Sequence, residues 1–286
     1  MRYVGLILAV GSIALFAQQD DPANAINGVN NGTRGTQGAV VRMFAPPTVG
    51  GTPVGLEYTG SDLVGTDIGD DAIYFSTLNG ASAGTSFTGV GNPIGITTDG
   101  TNFYQTDTTG LQVVVFNSSG TMTGSFSVAG QTTFPEGITY NPNTGHLYVV
   151  NGSGGNMVHE YTTAGAIVNS FPVLGSSQDG IAYDEGRNCY WLYDSGTDTV
   201  RQYDTSFNEL SNFPGTINAG FSGGEGVAVA GDELFVVATG SDLVIVFGLD
   251  PLFAIPTLGT WGLIAFLTLL MGVGLVVVRR RKMQAA

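Results

Sequence analysis

Three acids each stand directly before a glycine at nearly even intervals: Glu136-Gly137, Asp179-Gly180 and Glu225-Gly226. If one architectural position recurs there, three carboxylates converge and repel one another unless a cation joins them. Oxygen ligands without histidine or thiolate suit Ca2+, or Mg2+ that keeps some of its waters. Asp107, Asn151 and Asp194 end apolar runs nearby in the pattern and are candidates to complete such a shell. The competing reading is a ring of solvated acids with no ion. A metal-dependent hydrolase would further need a base, for which Asp194 or Asp179 is available, and a cation to hold an anionic substrate. Between residues 20 and 250 the only cations are Arg34, Arg42, Arg187 and Arg201. Arg34 falls in a Gly/Asn/Thr-rich linker, Arg42 and Arg201 in outer strands, and Arg187 in the turn Asp184-Glu185-Gly186-Arg187-Asn188. Catalysis is therefore the weaker expectation and binding the stronger.

Other reactive residues give less. Cys189 is the single cysteine, so no internal disulfide forms, and its neighbours Tyr190 and Trp191 mark it as a small buried hydrophobe. His146 and His159 lie in no catalytic motif. Asp67-Ile68-Gly69-Asp70-Asp71 lacks the spacing and closing glutamate of a helix-loop-helix calcium loop and reads as a solvated turn. All 23 acids lie between Asp20 and Asp250, where there is no lysine. So acidic a surface makes nucleic acid a poor partner, because binding it depends on basic patches.

The elements that must position these groups recur. Five short apolar strands open on glycine, at Gly55-Leu56, Gly95-Ile96, Gly137-Ile138, Gly180-Ile181 and Gly226-Val227, spaced 40, 42, 43 and 46 residues apart. Each is followed by a second strand, such as Leu147 to Val150, Cys189 to Tyr193 or Leu234 to Val237. A third ends on an aromatic: Phe75, Phe116, Tyr161, Tyr203 and Phe247. In the first four repeats a fourth closes on Phe87, Phe126, Phe171 or Phe213. Gly, Asn, Asp, Ser and Thr fill the gaps with turn chemistry. Four strands per period of 40 to 46 residues predict an all-β propeller of about five blades. The fifth repeat lacks its fourth strand, and the segment 39–46 offers one, with Phe44 at the aromatic position. That strand closes the ring, which leaves no unpaired sheet edge between first and last blades.

The two ends of the chain carry targeting features. Arg2 followed by the apolar stretch Val4 to Phe16 predicts a signal peptide over residues 1–25, cut after Ala17 or Ala25. Trp261 to Val278 is charge-free and, at 1.5 Å per residue, about 27 Å long, enough for one transmembrane helix. Arg279, Arg280, Arg281 and Lys282 stop transfer and stay cytoplasmic. The expected division is a signal peptide (1–25), a propeller ectodomain (26–249), a linker running into a sorting motif (250–256), and a C-terminal helix with a basic tail (257–286).

Ile255-Pro256-Thr257-Leu258, followed by Trp261-Gly262, an apolar helix and the basic cluster, resembles the IPTL-CTERM sorting signal of Gram-negative bacteria. The resemblance implies processing by a membrane-embedded exosortase-type protease, with the protein as its cargo. Pro256 donates no backbone hydrogen bond and keeps Ile255 out of a helix, so a protease would meet extended chain at the membrane surface. Gly180-Ile-Ala-Tyr-Asp, Val200-Arg-Gln-Tyr-Asp and Val113-Val-Val-Phe-Asn-Ser-Ser-Gly120 resemble NHL and gluconolactonase-type propellers, from Gly55 to Phe247. Gluconolactonase-like propellers hold a divalent metal with a carboxylate or amide that precedes a glycine, which by resemblance points to Glu136, Asp179 and Glu225. This sequence departs from that pattern at Val54 and Ile94, which fill the acidic position in the first two repeats. The expectation is an exported propeller, anchored by its C-terminal helix and sorted to the surface or exterior, that binds an extracellular ligand or envelope partner. A Ca2+-dependent, lactonase-like hydrolase is the alternative.

Overall fold

Every interval between the repeat glycines folds into one four-stranded antiparallel sheet in the computed structural model, which describes residues 36–48 and 51–250. Blade 1 is β2 (Pro53–Tyr58), β3 (Leu63–Asp67), β4 (Ala72–Ser76) and β5 (Phe87–Thr88). Blade 2 is β6 (Pro93–Thr98), β7 (Asn102–Asp107), β8 (Gln112–Asn117) and β9 (Met122–Ser127). Blade 3 is β10 (Pro135–Asn141), β11 (His146–Asn151), β12 (Met157–Thr162) and β13 (Ile167–Pro172). Blade 4 is β14 (Gln178–Asp184), β15 (Cys189–Asp194), β16 (Thr199–Tyr203) and β17 (Glu209–Pro214). Blade 5 combines β18 (Gly224–Ala230), β19 (Glu233–Ala238) and β20 (Leu243–Gly248) with β1 (Val40–Phe44) from the other end of the chain. The signal peptide, sorting motif, transmembrane helix and basic tail read from the sequence lie outside the described residues. Among the described residues no helix is long and apolar enough to cross a membrane.

The closing strand is where the sequence places it. β1 pairs antiparallel with β20, setting Phe44 opposite Val244 and Val40 opposite Phe247. Arg42 ties it down: its guanidinium bonds Glu233 and the Leu78 carbonyl and lies 5.4 Å from the centre of the Phe235 ring. Phe44 packs edge-on to the same ring, at 6.4 Å between centroids.

The repeated aromatics hold one blade to the next. The outer-strand ring of a blade meets the third-strand ring of its neighbour: Phe87 with Phe116 at 5.3 Å, Phe126 with Tyr161 at 5.9 Å, Phe213 with Phe247 at 5.5 Å. Between blades 3 and 4, Phe207 relays the contact, 4.7 Å from Phe171 and 6.2 Å from Tyr203. Such pairs add about 1 kcal/mol each beyond the area they bury. Middle strands are covered by blades on both sides, so β15 is buried along its whole length. Cys189 belongs to this layer, with Gln202 donating to its sulfur at 3.3 Å, and burial raises its thiol pKa to about 11.

Candidate functional site

Five inner strands, β2, β6, β10, β14 and β18, surround the axis, and their glycines set its bore. A Cβ on Gly55 would lie 2.1 Å from the Ile94 carbonyl oxygen, and one on Gly180 would lie 2.3 Å from that of Glu225. The other three glycines meet the next inner strand in the same manner, around to Gly226 against the Val54 carbonyl. Only a residue without a side chain allows backbone to approach backbone this closely. The ladder register slips at this level in every blade, between Pro53 and Leu56 and at the matching places, as a β-bulge does when it re-aims a strand. Within this ring the axis narrows to a cavity of about 10 Å³, room for about one water. The two mouths are thus chemically separate.

The predicted acids lie at one mouth. Glu136 and Asp179 are buried, at 8% and 5% exposure, and Glu225 is half-buried. A Cβ on Gly152 would come 2.3 Å from the Glu136 carboxyl, so glycine there leaves the space it fills. Burial, then a hydrogen bond to Asp179 and the charges of Asp179 and Glu225, push the Glu136 pKa far above the carboxylate range. Burial and then the Asp179 charge raise that of Glu225 to about 7. The Glu136 carboxyl therefore favours its protonated form, in which it can donate to Asp179. Ser177 Oγ also donates to Asp179, at 3.1 Å. Glu136 Oε2 and Asp179 Oδ2 are buried and find no hydrogen-bond donor among the described residues.

Asp107, Asn151 and Asp194 turn to a different task. Asp107 accepts the amides of Asn92 and Thr109, each at 3.0 Å. Asn151 accepts the Thr132 hydroxyl at 2.7 Å. Asp194 accepts the amides of Ser177 and Gly196 and the Thr197 hydroxyl, at 3.0, 3.1 and 2.5 Å. Each stitches the loop leading into an inner strand to the end of the second strand. Asp67 does the same in blade 1, accepting the amides of Thr52 at 2.7 Å and Gly69 at 2.9 Å. It is fully buried, so the solvated turn expected at residues 67–71 is corrected at its first residue; Asp70 and Asp71 are exposed. Among the described residues, no three His, Cys, Asp or Glu side chains stand where they could together hold a metal ion.

The opposite mouth carries a site that the acid pattern does not reveal. Two residues after each repeat glycine come Glu57, Thr97, Thr139, Ala182 and Ala228, one from each blade. The two alanines leave room, and the Glu57 carboxylate crosses to the next two blades. Thr97 Oγ donates to it at 2.7 Å, Thr139 Oγ at 3.1 Å and the Tyr58 amide at 2.9 Å. Burial outweighs these donors and raises its pKa to about 7. Above it opens a dish of about 340 Å³, drawn from all five blades and walled by Tyr58, Tyr140 and Tyr183. Asp99, Asp184 and Glu185 stand around it. Asp99 accepts the Tyr104 hydroxyl at 2.7 Å and the amides of Thr101 and Asn102 at 2.8 and 2.7 Å. Despite the cost of burial, those donors hold its pKa below the usual value.

Comparison with known proteins bears on the two parts of the chain separately. The IPTL-CTERM motif matches residues 253–281. No curated protein matches the chain. Among solved structures, a glutaminyl cyclase from Myxococcus xanthus is similar over 74% of this chain and 97% of its own, at 14% identity and a TM-score of 0.60. A chain of the nidogen/laminin complex is similar over 70% of this chain and 76% of its own, at 20% identity and a TM-score of 0.53. At these identities the likeness is one of fold. The protein is an exported five-bladed propeller with a C-terminal sorting signal of the kind processed by exosortase-type systems.

Proposed function

We propose that this propeller is a binding protein of the cell envelope, held at the membrane by its C-terminal helix until the sorting signal is processed, and that its ligand sits in the tyrosine-walled dish. The observation that carries this reading is the dish itself. Its volume of about 340 Å³ lies within the usual range for small-molecule sites, and all five inner strands contribute to it. A recess at the axis of a ring with shared walls is rigid, which lowers the ordering cost of binding. Its lining includes no Ser, Cys, His, Lys or Arg. The serine or cysteine nucleophile and imidazole base that acyl transfer most often uses are not among these lining residues, and binding fits the wall better than turnover.

The test uses the full chain in detergent, with melting temperature read against amines, sugars, amino acids and lactones. Binding predicts that at least one class raises it and that Tyr140→Ala and Tyr183→Ala erase the rise. Lactone hydrolysis that requires a divalent cation and is lost in Asp179→Asn would overturn the reading in favour of the hydrolase alternative.

A further inference from the structure

We propose that the dish takes an organic ammonium ion, its charge seated over Glu57 and its apolar part against Tyr58, Tyr140 and Tyr183. This rests on the dish being the binding site and names the chemistry of its ligand.

Charge is the first argument. Four acids line the recess, Glu57, Asp99, Asp184 and Glu185, and no basic residue does. Arg187 stands nearby, but its guanidinium is spent on Asp184, Asp232 and the carbonyls of Gly231 and Asp250. It offsets Asp184 and leaves the other three unbalanced. An anionic ligand is thereby disfavoured.

Hydrogen-bond capacity is the second. The hydroxyls of Tyr58 and Tyr183 already donate, to the Gly60 carbonyl at 2.6 Å and to Asn188 at 2.5 Å. The Thr97 and Thr139 hydroxyls donate to Glu57. What the dish offers is mainly acceptors and ring surface, which suits a ligand that donates or carries positive charge. A polyol, which must both donate and accept, is matched less well.

Third, the ring does not require an acid at position 57. Threonine or alanine fills that place in the other four blades. A carboxylate 8% exposed carries a desolvation cost that the fold alone does not recover. Three hydrogen bonds fix its orientation, as expected of a counter-ion set in advance. Tyrosine faces above such a charge attract ammonium through their quadrupoles, and most strongly where water is excluded.

The experiment is calorimetric titration of the full chain in detergent with benzyltrimethylammonium, benzylamine and uncharged benzyl alcohol at pH 8. Both cations should bind at least tenfold more tightly than the alcohol. Glu57→Gln should weaken the cations about tenfold or more while leaving the alcohol unchanged, and Tyr140→Ala, which removes a wall for the benzyl ring, should weaken all three. Glu57→Gln keeps the shape of the protonated carboxyl, and far-UV circular dichroism of each variant verifies the fold. Equal binding of alcohol and amine, or cation binding indifferent to both substitutions, would overturn the ammonium assignment. If a sugar but neither cation binds in a manner sensitive to Tyr140→Ala, the ligand class falls while the dish stands as the binding site. Silence from every ligand class would remove both.

Discussion

Thr97 donates its hydroxyl to Glu57 at 2.7 Å across a blade boundary, and the two residues are 40 positions apart, one repeat of the sequence. The same hydroxyl accepts the Tyr140 amide at 3.0 Å, so the bond at Glu57 continues into blade 3. Thr139 repeats the arrangement one blade on, accepting the Tyr183 amide at 3.0 Å. The network that starts from one acid thus links the inner rim of four blades.

Glu57 makes stability depend on pH. Its folded pKa of about 7 exceeds the ordinary 4.5, so the folded state holds the proton more firmly than the unfolded chain. Its stabilising contribution is full below about pH 4.5 and is lost as pH rises through 7. The loss is on the order of 3 kcal/mol. Glu136 and Glu225, also raised, act in the same direction. Melting temperature should fall between pH 5 and 8, and Glu57→Gln should flatten part of that fall. A parent curve flat across this range would contradict the assignment.

A shared proton and a calcium ion make different predictions for the Glu136–Asp179 pair. The proton predicts that Glu136→Gln, Asp179→Asn and Glu225→Gln together raise the melting temperature at pH 8 and that millimolar Ca2+ does nothing. Calcium predicts a rise with Ca2+ that chelator reverses and the triple change abolishes. The raised pKa of Glu136 favours the proton.

Adding one methyl to the glycine ring should be costly. Gly55→Ala or Gly180→Ala drives a Cβ into a carbonyl oxygen of the next blade, where neither side is a flexible side chain. We expect a loss of about 2–4 kcal/mol in urea unfolding. Gly100→Ala is no control, since its positive φ adds strain; Gly124→Ala, on an outer strand with nothing within 4 Å, should be nearly neutral.

Closure by β1 can be weakened without touching the other blades. Phe44→Ala removes the ring that packs on Phe235, and a loss of roughly 3 kcal/mol is expected. Met43→Pro should cost more and expose the edge of β20, visible as concentration-dependent association in light scattering.

The sorting signal has its own readout. Pro256→Ala or Trp261→Ala should leave unprocessed precursor in the membrane fraction, followed as a mass difference on immunoblots. Processing at the parental rate in both variants would argue against recognition of residues 253–281.

Repetition is what made the architecture legible in the chain. Glycine spacing gave the number of blades, the recurring aromatics gave their contacts, and the missing fourth strand of the last repeat pointed to Phe44 near the other end. These are periodic properties, and a ring of like blades obliges each repeat to solve the same packing problem. The sorting motif was equally legible because it is contiguous and local. The chemistry of the mouths was not. Glu136, Asp179 and Glu225 recur as a pattern in the chain, yet only three-dimensional proximity decides that burial and neighbouring charge raise the pKa of Glu136 and Glu225. Asp107, Asn151 and Asp194 look like ligands in sequence but are engaged by loop amides and hydroxyls that only folding brings within reach. Glu57 breaks the repeat once, among threonines and alanines, and a column-by-column comparison of repeats would have singled it out. Its meaning comes from the tertiary structure, because burial, the reach into two neighbouring blades and the tyrosine walls are all set by closure of the ring.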